Sequence, residues 1–98
     1  YYVDLLETLG NTALALEDGN LRTMILLRAA YGIERVAWMF RGAPMNFWLF
    51  MTQAVRFYLL SGEDRGLAKA EDLRARLRSE ASPFVSWLID RMFERYTG

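Results

Sequence analysis

Apolar and polar residues recur along this chain at the three- and four-residue spacing of α-helices. No segment alternates with the period of two that marks a half-buried strand. Glycine, proline and the turn sequence Asp18-Gly19-Asn20 divide the pattern into five segments. The pattern therefore predicts an all-α bundle of about five helices in one domain, residues 1–98. The predicted helices cover residues 3–16, 21–41, 44–60, 67–78 and 83–96.

The first two helices differ in how their apolar residues are distributed. The first places its apolar residues on one face: Leu5, Leu6, Leu9, Ala13 and Leu16. The second has a main apolar face, Leu21, Ile25, Ala29, Ile33, Val36 and Phe40, and a second one roughly opposite, Met24, Leu27, Tyr31 and Trp38. A helix that is apolar on two faces lies at the centre of its fold or contacts a partner or ligand. The pattern leaves both interpretations open.

The third helix is apolar almost all round and is expected to be largely buried. Its aromatic residues Phe47, Phe50 and Phe57 fit either an ordinary core or the wall of a ligand pocket. A thin polar line remains, formed by Asn46, Thr52, Gln53 and Arg56. Polar groups inside an apolar helix need partners, so this line faces solvent or orients a mostly apolar ligand.

The last two helices are predicted to be amphipathic. Leu67, Ala70, Leu73 and Leu77 point inward from the fourth, and Ser82-Pro83 caps the start of the fifth. The fifth carries a broad apolar arc, but Trp87 falls outside it, among charged residues. Exposed tryptophan is costly and is enriched at the energetic centres of interfaces. This position therefore favours an association surface.

Composition narrows the possible functions. Hydrophobic residues make up 53% of the 98, which excludes disorder, and 12 basic residues balance 12 acidic ones. The balanced charge argues against direct nucleic-acid contact. Arg56 in the most apolar segment argues against a membrane span. The chain has no cysteine and no recognisable leader, so we expect a cytoplasmic protein.

Histidine is also absent, and this changes the functional picture most. Without His or Cys the usual general bases, thiol nucleophiles and zinc ligands are missing. The glycines form no phosphate-binding loop. We therefore expect no enzymatic activity, no metal and no cofactor, and a function based on binding.

Three segments between residues 44 and 96 resemble the C-terminal half of TetR-family transcriptional regulators. They are the aromatic helix Phe47-Trp48-Leu49-Phe50-Met51-Thr52-Gln53-Ala54, the charged helix Leu73-Arg74-Ala75-Arg76-Leu77-Arg78 and the segment Pro83-Phe84-Val85-Ser86-Trp87-Leu88. The resemblance implies that the last two helices pair with a second subunit and that earlier helices surround a ligand. It departs from the family in two respects: no DNA-binding helix-turn-helix is present, so we expect a fragment preceded by one, and the helical region is short.

The leading hypothesis is a ligand-sensing and dimerisation domain of a transcriptional regulator. The candidate ligand-binding residues are Met24, Tyr31, Trp38, Asn46, Phe47, Phe50, Gln53, Arg56 and Phe57. The candidate homodimer interface consists of Leu73, Leu77, Phe84, Trp87, Leu88 and Met92. The alternative is a helical protein-interaction module, an adaptor or an inhibitor, with no small-molecule ligand.

Overall fold

The computed structural model describes residues 2–97, which form an all-helical bundle with no strand. The helices are α1 (Tyr2–Ala13), α2 (Gly19–Met39), α3 (Pro44–Leu60), α4 (Asp64–Leu77) and α5 (Pro83–Thr97). The predicted fold class is confirmed. The helix α3 begins and ends at the predicted residues.

Side-chain caps fix the start of α2 and α5. The Asp18 carboxylate accepts a hydrogen bond from the backbone N–H of Leu21 at 3.1 Å. Asp18 is therefore the N-cap of α2, which begins at Gly19, two residues before the predicted start at residue 21. The predicted cap of α5 is confirmed, because the Ser82 hydroxyl accepts from the backbone N–H of Val85 at 3.2 Å.

Glycine ends one helix as predicted and another not at all. Gly62 follows α3 with a φ of 71°, a left-handed conformation that glycine adopts without strain. The helix α2 ends at Met39, two residues before the predicted end at residue 41, with Phe40 as its C-cap, and Gly42 has no positive φ.

The helices α2 and α3 form the centre of the bundle. The first helix packs mainly on α2, while α4 and α5 pack on α3. Fully buried side chains at the centre include Leu26, Ile33, Met51, Val55 and Phe57. Among residues 2–97 no helix combines the length and the apolar content that crossing a membrane requires.

The buried face of α1 differs from the predicted one. Val3, Leu6, Gly10 and Ala13 face the core, whereas Leu5 and Leu9 are exposed. Gly10 has no side chain, so its face of α1 packs closely against the buried ring of Phe57. The helix is therefore rotated about its axis relative to the predicted orientation. The close approach of two helices, and not the largest side chains of α1, sets its orientation.

Candidate functional site

A buried carboxylate joins α2, α3 and α4. The Oε1 atom of Glu34 accepts a hydrogen bond from the Tyr58 hydroxyl at 2.7 Å and lies 3.2 Å from the Nζ atom of Lys69. Its Oε2 atom accepts a hydrogen bond from the Nε1 atom of Trp38 at 3.1 Å. Glu34 is thus one of the few buried polar residues of the bundle, and both its oxygens are satisfied.

The surroundings of Glu34 keep it ionised. Burial alone raises its pKa, but the hydrogen bonds from Tyr58 and Trp38 and the charge of Lys69 outweigh burial and lower the net pKa. Burial, followed by the hydrogen bond to the Glu34 carboxylate, raises the pKa of Tyr58. The phenol therefore remains a protonated donor at neutral pH. This arrangement is a structural network, with no group poised to react.

Lys69 and Tyr58 also reach a surface groove, which we name the α2–α4 groove. Its volume is about 630 Å³. Its lining residues are Asn20, Thr23, Met24, Leu27, Arg28, Tyr31, Tyr58, Glu63, Arg65 and Lys69. Met24 and Tyr31 are 56% and 51% exposed, which is unusual for such large apolar side chains in contact with one groove. The groove combines apolar walls with charged residues at its rim.

A second, almost wholly apolar surface lies between α3 and α5. We name it the α3–α5 face and define it by Met45, Leu49, Phe84, Trp87 and Leu88. One groove of about 530 Å³ is lined by Met45, Leu49, Phe84 and Leu88. Trp87 extends the surface, because its ring stacks on that of Phe84 with centroids 6.2 Å apart.

The predicted ligand-binding residues do not form one cavity. Met24 and Tyr31 line the α2–α4 groove. Trp38 is half-buried and packs against Phe47, with ring centroids 5.5 Å apart and ring planes tilted by 57°. Phe47 and Phe57 belong to the core, where they fill space between helices. The aromatic residues of α3 thus serve mainly as core.

The remaining predicted ligand contacts have other neighbours. Phe50 is half-buried and packs edge-on against Phe40, with ring centroids 5.5 Å apart, and Asn46 is exposed. Gln53 donates a hydrogen bond to Glu7 at 2.8 Å, and Arg56 donates to Asn11 at 3.2 Å.

Two of the four residues of the polar line of α3, Gln53 and Arg56, therefore pair with polar residues of α1.

The predicted interface residues separate into two groups. Leu73 and Leu77 are fully buried within the chain, so a partner has no access to them. Phe84 and Trp87 are exposed, while Leu88 and Met92 are partly exposed. The predicted interface residues of α4 thus lie in the core, and those that reach the surface all belong to α5.

The pattern of apolar and polar residues did not reveal that Glu34 is buried. Its position at i−4 from Trp38 was the available signal, because such pairs share a helix face. Met45 and Leu49 were also missed, since an apolar helix gives no sign of which side stays uncovered. Which side of α3 is covered depends on how α5 packs against it.

No known family model, curated protein or solved structure matches this chain.

Proposed function

We propose that this chain is a non-catalytic association module that forms a homodimer through the α3–α5 face. The observation that carries the proposal is the exposure of four large apolar side chains on one continuous surface. Met45 is 84% exposed, Leu49 63%, Phe84 67% and Trp87 56%. Water-exposed apolar surface of this kind is covered favourably by a partner.

The size of the surface supports a dimer. A buried aromatic side chain contributes about 200 Å², so these four side chains offer on the order of 500 Å² per protomer. Such a patch lies within the range of about 300–600 Å² typical of the largest patch on a monomer, which is often functional. Two of them in contact would bury on the order of 1,000 Å², about the minimum expected of a biological interface.

The chemistry of the surface favours a second copy as the partner. In a two-fold symmetric interface the same patch serves both subunits, so a charge near the axis lies close to its own copy. The groove of the α3–α5 face is lined by apolar residues and Thr52, with no charged side chain. The residues that line this groove therefore bring no like charges together when the face meets itself.

Sedimentation equilibrium of the purified chain tests the proposal. At roughly 50 µM the chain is expected to sediment at twice its monomer mass, and Trp87→Glu at the monomer mass, because the glutamate places a charge in the apolar contact. Leu5→Glu is the matched control, since Leu5 is similarly exposed but lies on α1. It is expected to remain dimeric.

Two results would contradict the proposal: a monomeric wild-type chain, or a Trp87→Glu variant that stays dimeric while keeping its helical circular-dichroism spectrum. The first would leave the face for a different protein partner, as in the adaptor or inhibitor alternative. The second would place the dimer contact on another surface.

As the wider role of this dimer we propose the ligand-sensing and dimerisation domain of a cytoplasmic transcriptional regulator. The resemblance of residues 44–96 to TetR-family regulators supports it, as does the presence of α5 in the association surface. A gel-shift assay of the full gene product on DNA from its own promoter tests this role. Failure to bind DNA would remove the regulator role and leave the dimer proposal intact.

A further inference from the structure

The α2–α4 groove has an unbalanced set of charges. Lys69 is neutralised by Glu34, 3.2 Å away. Arg28 and Arg65 line the groove from α2 and α4, and neither has an ion pair, a hydrogen bond or a ring contact with any residue from 2 to 97. Glu63 is the remaining charged residue of the lining. The three cations Arg28, Arg65 and Lys69 are thus accompanied by two anions, Glu34 and Glu63, which leaves a surplus of one positive charge.

The walls between these two arginines are apolar. Met24, Leu27 and Tyr31 follow one another along α2 at three- and four-residue steps, so they share one helix face. Tyr58 closes the base, where its hydroxyl is already held by Glu34. A ligand in the groove thus meets apolar atoms at its centre and guanidinium groups at the rim.

We propose that the α2–α4 groove binds a small amphipathic molecule with one carboxylate. Its hydrocarbon part covers Met24, Leu27 and Tyr31, and its carboxylate accepts hydrogen bonds from Arg28 or Arg65. Guanidinium groups present paired N–H donors that match a carboxylate. A volume of about 630 Å³ suits a molecule of this size.

The surplus of one positive charge in the groove favours a ligand with a single negative charge. A polyanion such as nucleic acid requires several cations in a row and is repelled by Glu63 on the same rim. An uncharged hydrocarbon would cover the apolar walls but would remove water from the two arginines without giving them a partner. The monoanionic amphiphile satisfies both parts of the groove.

This proposal is independent of the dimer. The α2–α4 groove and the groove of the α3–α5 face have no lining residue in common. Failure of either proposal therefore leaves the other in place. Their experiments use different variants and different readouts.

Fluorescence titration with dansyl-undecanoic acid and with its methyl ester tests the site. The acid is expected to bind more tightly than the ester. The double variant Arg28→Gln/Arg65→Gln is expected to bind the acid roughly tenfold more weakly and the ester unchanged. Met24→Ser is expected to weaken binding of both probes. Arg78→Gln is the matched control, because Arg78 is exposed, unpaired and outside the groove.

Trp87→Glu distinguishes this groove from the α3–α5 face and is expected to bind the acid as the wild type does. The proposal is overturned by a wild-type chain that binds neither probe, or by equal affinity for acid and ester. It is also overturned if the double arginine variant binds the acid as tightly as Arg78→Gln does. Loss of probe binding in Trp87→Glu would move the site to the other surface.

Discussion

At the scale of single residues, Glu34 links three helices through one carboxylate. Tyr58 belongs to α3, Lys69 to α4 and Trp38 to α2 itself. Removing one partner from a buried polar network leaves the others unsatisfied and costs more than the network contributes relative to an apolar core. The consequence of a substitution therefore depends on which member is changed.

The variant Glu34→Gln is expected to lower the free energy of unfolding by about 1–3 kcal/mol at neutral pH. The amide can accept from Tyr58 but brings its own N–H donors toward Trp38 and Lys69. Lys69→Met is the milder change, at about 1 kcal/mol or less, because the Lys69 side chain is 42% exposed. Urea denaturation of the three proteins measures the difference.

The same carboxylate gives stability a defined pH dependence. The folded chain lowers the pKa of Glu34 below its ordinary value of 4.5, so the unfolded chain binds more protons in the interval between the two values. The contribution of Glu34 is therefore complete above that ordinary value and is lost as pH falls through the folded pKa. The stability gap between wild type and Glu34→Gln should stay constant from neutral pH down to the ordinary pKa of 4.5 and narrow as the pH falls further. A gap that also stays constant below that value would contradict the ionised state of Glu34.

At the scale of the helix, the contact between α1 and α3 depends on Gly10. A Cβ atom at this position would lie 2.4 Å from the Cζ atom of Phe57, whose ring is fully buried. Gly10→Ala is therefore expected to destabilise the chain by about 1–3 kcal/mol. At an unobstructed helical position the same substitution stabilises by about 1 kcal/mol, so the sign of the effect is diagnostic.

Two further variants make this prediction specific. Gly42→Ala is the control, because nothing lies within 4 Å of the Cβ position and its φ is not positive. It is expected to change stability little. Gly10→Ala combined with Phe57→Leu should recover part of the loss by making room. If Gly10→Ala stabilises the chain, the proposed close approach of α1 and α3 is wrong.

The helices themselves followed from sequence, but their orientation did so only in part. The bounds of α3 and the inward residues Ala70, Leu73 and Leu77 of α4 are local properties of spacing and turn residues. The rotation of α1 depends on Gly10 meeting Phe57, 47 positions further along the chain. A single sequence shows glycine there only as a weak helix former.

The candidate sites, like the orientation of the helices, were predictable from the sequence only in part. Exposure of Trp87 was expected from the charges around it, and Met24 and Tyr31 were recognised as a second apolar face of α2. That Phe57 fills the core and Met45 remains exposed depends on which side of α3 the other helices cover. This choice is made by packing between distant segments.

At the scale of the whole molecule, the bundle is thin. Its principal extents are 37, 32 and 18 Å. Packed helices lie about 8–10 Å apart, so the short dimension holds no more than about two layers. Enclosing a ligand between helices requires side chains on all sides of it, and two layers whose core is already filled leave no such space. The proposed sites are therefore surface grooves and not enclosed cavities.

The two surfaces should respond to salt in opposite ways. Raising KCl from about 0.05 M to about 0.5 M screens charges between exposed groups and leaves apolar contact intact. Binding of dansyl-undecanoic acid near Arg28 and Arg65 is therefore expected to weaken several-fold. The association constant of the proposed dimer should stay unchanged or increase, because the proposed contact at Phe84 and Trp87 is apolar. Sedimentation and fluorescence titration of one preparation measure the dimer association constant and the probe affinity.

Two outcomes would contradict these expectations. A dimer that dissociates with salt would mean that ionic contacts hold it together. A salt-independent probe affinity would mean that the arginines do not contact the carboxylate.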